Sequence, residues 1–192
     1  MQPYRKDKIE IIDENDNVIG IEERGKVHQE GLLHREVHVW LYTPKGEILF
    51  QHRAKDVETY PDLLDASVGG HVEINDSYEK TAVKEIEEET GLKIKPEDLH
   101  FIKMSRCSSH DKATDRRNNS LKAVYAYCYN GDPNDLKHEE GKSYGFVPWS
   151  IDKLFNISGE DKERFIAAIF TEEFLDIFRR IKEIINKPNL PL

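Results

Sequence analysis

The sequence predicts an α/β fold, a mixed sheet sandwiched with helices, carrying an N-terminal hairpin and C-terminal helices. Three observations carry that prediction. Short β-prone runs separated by turn residues fill the first third, a capped amphipathic helix lies mid-chain, and apolar residues recur at helical spacing near the end. Strands on both sides of a helix are the order a mixed sandwich requires. No repeat, low-complexity tract or linker interrupts the 192 residues, so 1–192 reads as one domain of ordinary size.

Residues 8–13 and 18–21 flank Asn15-Asp16-Asn17 and read as the N-terminal hairpin. Residues 37–42 and 47–51 flank Thr43-Pro44-Lys45-Gly46, a second strand–turn–strand unit. Residues 63–68 then reach Gly69-Gly70, where the absence of side chains frees the backbone for a bend. Residues 77–90 form the predicted central helix. Asp76 stands in the capping position with Glu79 three residues on, Tyr78, Ala82, Val83 and Ile86 form the apolar stripe, and Gly91 stops it. The polar stretch 105–120, with Arg116 and Arg117, reads as a substrate loop. Residues 123–129 and 144–147 are predicted strands, and Phe165 to Ile185 a helical tail.

With 28 basic and 37 acidic side chains the net charge is −9, against the basic face that a nucleic-acid polymer would need. Cys107 and Cys128 make neither a disulfide framework nor a thiolate metal site. Residues 1–6 hold no apolar signal core, and no apolar run approaches the roughly 20 residues of a membrane span. A cytoplasmic protein that does not enter membranes is expected.

The chemistry concentrates on the central helix. Glu85, Glu88 and Glu89 share one face, because positions i, i+3 and i+4 are neighbours. Like charges at that spacing repel, and a divalent cation would offset the repulsion. Hard cations such as Mg²⁺ and Mn²⁺ prefer oxygen ligands, neutralise phosphate charge and activate water.

The run Gly70-His71-Val72-Glu73-Ile74-Asn75-Asp76, continued by Lys84-Glu85-Ile86-Glu87-Glu88-Glu89-Thr90-Gly91-Leu92, resembles the Nudix box. That pattern is Gly, five residues, Glu, seven residues, Arg-Glu, an aliphatic, any residue, Glu-Glu, any residue, Gly, aliphatic. The spacing here is complete, with Asp76 at a glutamate position and Lys84 at an arginine position. In the family those two positions form an ion pair bracing loop against helix, so a weaker or water-bridged brace is expected. The resemblance runs from about residue 18 to 154 and implies a Nudix-type α/β/α sandwich. It also implies Glu85 and Glu89 as principal metal ligands, Glu88 as a second-metal ligand or water organiser, and the Gly70 carbonyl completing the shell. A glutamate from a later loop is often ligand or general base in the family. Glu139 and Glu140 are the candidates, and Glu140 is the choice.

His34-Arg35, Gln51-His52-Arg53 and the run 60–71 are similar to the branch that contains isopentenyl-diphosphate isomerase and its hydrolase relatives. His28, His34 and His71 fall near three histidines of the isomerase metal site. The isomerase cysteine beside the box glycine is here Gly69, and its central-strand glutamates are here Asn118 and Ser120. Glycine cannot move a proton, so the resemblance points to a hydrolase. The expected reaction is metal-dependent hydrolysis of a nucleoside diphosphate derivative or other organic diphosphate. Arg53, Lys55 and His71 are the expected substrate contacts. The alternatives are an isomerase-like enzyme and a non-catalytic nucleotide-binding module. A homodimer through the hairpin and the apolar C-terminal helix is compatible with the sequence.

Overall fold

A computed structural model describes residues 8–111 and 114–187. The reading of residues 1–6 lies outside these. The N-terminal hairpin is β1, Lys8–Ile12, paired antiparallel with β2, Val18–Glu23. Its turn is tied by the Asp13 carboxylate, which accepts the N–H groups of Asn15 and Asn17 at 2.9 Å each. A short helix follows, α1, Arg24–Glu30, which the sequence reading missed. Its seven residues show no apolar stripe, and burial of Val27 and His28 fixes it.

β3, His34–Tyr42, is the hub of the sheet. It pairs antiparallel with β1, with β4 (Glu47–Arg53) and with β6 (Val68–His71), and parallel with β8 (Arg116–Cys128). β4 also pairs with β5, Leu64–Asp65, and with β9, Ser143–Ser150. Alternation along β3 divides the core, because successive side chains point to opposite faces. Val37, Val39 and Leu41 pack with Leu49, Val68, Ala82 and Ile86 beneath α2, Tyr78–Thr90. Trp40 and Tyr42 pack with Phe50, Phe165, Ile177 and Phe178 on the other side. That second layer holds α3 (Ile151–Phe155) and α5 (Glu172–Asn186), and the four-residue α4 (Glu160–Glu163) between them buries none of its residues. Helices on both faces explain why β3 reads as a nearly continuous buried run.

Three expectations change. Residues 105–111 and 116–120 are strand and not loop: β7, His100–Asp111, pairs with β8 from His100↔Ala126 to Asp111↔Arg116. The far half of this hairpin is largely exposed, so its polar residues hide the strand pattern. The tail is helical only within α5. Phe165 instead bridges to Leu64, and Ala167–Phe170 is a 3₁₀ turn. Ser77, not Asp76, caps α2, its Oγ accepting the Lys80 N–H at 3.2 Å, while Asp76 pairs with Lys80 Nζ at 2.5 Å. No described helix is long and apolar enough to cross a membrane.

Candidate active site

The β6 strand carries Gly69 and Gly70 past the inner face of α2, and the helix delivers its glutamates into a cleft of about 1300 Å³. Glu85, Glu88 and Glu89 all line it, as their helical spacing requires, whereas Glu87 is exposed and lies 3.7 Å from Lys93. Glu85 sits over Gly70: a Cβ on that glycine would overlap the Glu85 carboxylate. Glu89 is gripped from two sides, by Gln51 Nε2 at 2.8 Å and by the Gly69 N–H at 3.3 Å. Burial pushes the Glu85 carboxyl up to about 7, with Glu88 adding to the rise. Burial takes Glu89 to about 7 as well, against the pull of its Gly69 and Gln51 hydrogen bonds. Two half-buried carboxylates that resist ionising side by side, with a third at the mouth, form a donor set suited to a hard divalent cation.

The other expected residues divide. Arg53 lines the cleft, but its guanidinium is tied to Thr59 O at 2.9 Å and to Asp65 Oδ2 at 3.2 Å. Lys55 is exposed, 3.6 Å from Asp62, and is not among the lining residues. The later-loop acid on the lining is Glu139, 2.5 Å from Lys142 Nζ; Glu140 is not on it. Arg24, at the start of α1, also lines the cleft, and the sequence reading had not singled it out.

The expected Asp76–Lys84 brace is replaced. With Asp76 on Lys80, the Lys84 ammonium turns to Glu73 and lies 3.8 Å from Glu88. The box loop is also held from the N-terminal hairpin. Glu10, buried, accepts the N–H of Asn75 at 3.1 Å and pairs with Arg35 at 3.2 Å. Arg35 in turn holds Asp16 at 2.6 Å, and Tyr78 Oη donates to the same Asp16 oxygen at 3.1 Å. Asn75 has φ 66°, a strained conformation that such anchoring stabilises.

Beside the cleft, His28, His34 and His71 converge, with one ring nitrogen from each within 4.8 Å of the others. His28 Nε2 lies 3.0 Å from His71 Nε2, and the His34 and His71 rings stack at 5.1 Å. The Nδ1 atoms of His28 and His34 contact the carbonyls of Arg117 and Leu32 at 3.2 and 2.9 Å. Those contacts assign the protons to Nδ1 and leave the Nε2 lone pairs facing inward. His34 Nε2 is buried without a hydrogen-bond partner among the described residues. Glu36 adds a carboxylate, 3.5 Å from His71 Nε2 and 3.8 Å from His34 Nε2. Ser120 Oγ donates to it at 2.7 Å and Asn118 Nδ2 at 3.2 Å, with Lys122 at 3.4 Å. Burial would raise Glu36, yet His34, Lys122 and His71 hold it well below the usual carboxylate range. Burial lowers His28 to about 4. The sequence reading passed over Glu36, although an acid inside an apolar strand is a signal in itself.

The NUDIX domain model matches residues 32–168, and the chain belongs to the Nudix hydrolase family. It is 28% identical to an uncharacterised Nudix hydrolase of Clostridium acetobutylicum, over 87% of this chain and 79% of that protein. It is also 24% identical to an isopentenyl-diphosphate Delta-isomerase of Serratia proteamaculans, over 84% and 86%. Several further curated Nudix hydrolases match over about half of their own length. Among solved structures, the Deinococcus radiodurans protein DR0079 superposes with a TM-score of 0.63 at 20% identity, covering 91% of this chain and 98% of that one.

Proposed function

We propose that this protein, acting through a single domain over 1–192, hydrolyses a diphosphate linkage in a nucleoside diphosphate derivative or other organic diphosphate. The observation that carries the reading is the pairing of Glu85 and Glu89 in one cleft, half-buried and both raised to about 7. Glu85, Glu89 and the Gly70 carbonyl would hold Mg²⁺ or Mn²⁺, with Glu88 at the mouth. The bound cation supplies charge neutralisation and a more acidic water. Glu139, the loop acid on the lining, replaces Glu140 as the residue that accepts the proton of the attacking water, and Glu88 orients that water. Arg24 and Arg53 border the same space and attract the anionic substrate. Lys55 contributes to that field from outside the lining.

The histidine cluster is read as a second divalent-metal centre, on the strength of the orphaned His34 Nε2 and the Glu36 carboxylate beside it. His71 then belongs to this cluster before it belongs to the substrate. Isomerase chemistry is the competing reading, since the cluster and the Serratia relative favour it. Against it stands Gly69, where a Cβ would lie 3.0 Å from His38 Cδ2, so a thiol there requires His38 to move. The non-catalytic module is disfavoured by the intact carboxylates.

We assign the protein to the cytoplasm, with a small-molecule diphosphate as substrate and no polymer or membrane partner. A homodimer would use the hairpin, because α5 buries Ile177, Phe178 and Ile181 in the core. The test of function is release of the phosphorylated cleavage products, resolved by chromatography, from nucleotides, nucleotide sugars, dinucleoside polyphosphates and prenyl diphosphates, with and without Mg²⁺ or Mn²⁺. Metal-dependent release from one class supports hydrolysis. Interconversion of isopentenyl and dimethylallyl diphosphate without release would replace it with the isomerase reading.

A further inference from the structure

Glu89 differs from its two companions in how it is held. Glu88 is exposed and Glu85 rests over a bare glycine, whereas each oxygen of Glu89 has its own donor. Oε2 takes the Gln51 amide at 2.8 Å and Oε1 takes the Gly69 N–H at 3.3 Å. Both donors sit on strands paired within the sheet. Gln51 is paired on two sides, with Asp65 of β5 and Phe146 of β9, and Gly69 is paired with His38 of β3.

We infer that Gln51 is a positioning residue that fixes the Glu89 carboxylate for metal binding, an inference that rests on the metal-cleft reading above. The chemistry of the amide suits that task. A carboxylate has roughly four lone-pair directions, so two hydrogen bonds orient it and leave others for a cation. Gln51 carries no charge, so it aligns Glu89 without neutralising it. A lysine or arginine at the same place would form an ion pair and compete with the metal. Groups that orient a metal ligand in this way typically contribute 10- to 100-fold in affinity or activity.

The experiment is Mn²⁺ titration of the full chain, read by calorimetry and by electron paramagnetic resonance, on wild type, Gln51→Met, Gln51→Asn and Glu89→Gln. Thermal denaturation of each protein without metal reports folding. Methionine keeps the volume and removes the donor, and asparagine keeps the amide but withdraws it by one methylene. The inference predicts Mn²⁺ binding about 10-fold weaker in both Gln51 variants, at unchanged melting temperature, with kcat lowered and KM little altered. Wild-type affinity in a folded Gln51→Met or Gln51→Asn, alongside a loss in Glu89→Gln, overturns the role of Gln51 and leaves the metal cleft standing. Equal binding by wild type and Glu89→Gln overturns the metal-cleft reading, and the inference with it.

Discussion

Glu85 occupies the space that a side chain on Gly70 would fill. Gly70 is not in the left-handed region, so room and not backbone conformation is what requires glycine there. The overlapping atoms belong to the end of a flexible side chain, which can swing aside. Gly70→Ala should therefore leave the melting temperature nearly unchanged while lowering kcat by about 100-fold, as small displacements of reacting groups do. Steady-state kinetics with denaturation curves check this, and full activity in the variant would remove the proposed seat of Glu85.

The hairpin should matter more to the box loop than the lysine on α2 does. Glu10 is buried and satisfies both Arg35 and the Asn75 N–H, so Glu10→Ala strands the Asn75 donor and takes from Arg35 one of its two carboxylates, Asp16 remaining. A loss of about 2 kcal/mol is expected. Lys84 and Glu73 are largely solvent-screened, and Lys84→Ala should cost less than about 1 kcal/mol. Urea denaturation of both variants orders them, and the reverse order would contradict the assignment of the brace.

Metal-free stability should carry the signature of Glu89. Its folded value of about 7 exceeds the ordinary 4.5, so the folded protein keeps a proton that the unfolded chain has released. The penalty on folding is absent below 4.5 and grows as pH rises to about 7. Burial of His28, lowered to about 4, works in the opposite direction over part of that window. A variant difference isolates the carboxylate. In chelator, Glu89→Gln should gain on the order of 2 kcal/mol relative to wild type between pH 4.5 and pH 8. A pH-independent difference would refute the shift.

The histidine cluster should bind metal independently of the glutamates. His34→Gln is expected to lower the bound Zn²⁺ or Mn²⁺ by one equivalent in equilibrium dialysis, with Glu89→Gln lowering a separate one. Loss of a single shared equivalent in both would merge the two centres.

What the sequence could and could not show follows from the range of each interaction. The glutamate face was legible because helical spacing alone puts Glu85, Glu88 and Glu89 together. Val37, Val39 and Leu41 were legible as a strand because both faces of β3 are covered. Gln51 acts through a partner 38 residues away, with no local pattern to announce it, whereas Glu36 stands out as an acid in an apolar strand although its partners lie 82 to 84 residues away. Glu139 and Glu140 are neighbours of like type, and only the path of the chain into β9 separates them. The strand residues 105–111 and 116–120 were hidden because exposure lets them be polar on both faces.

In the metal-cleft reading the α2 glutamates would hold a divalent cation that supports hydrolysis of a diphosphate by water. The most direct test of that reading is turnover of Glu89→Gln against wild type on the best substrate of the diphosphate panel, at saturating Mg²⁺ and pH 8. The account predicts a fall of several orders of magnitude in kcat with the circular dichroism spectrum and a cooperative thermal transition retained. Turnover equal to wild type in the folded variant would contradict it.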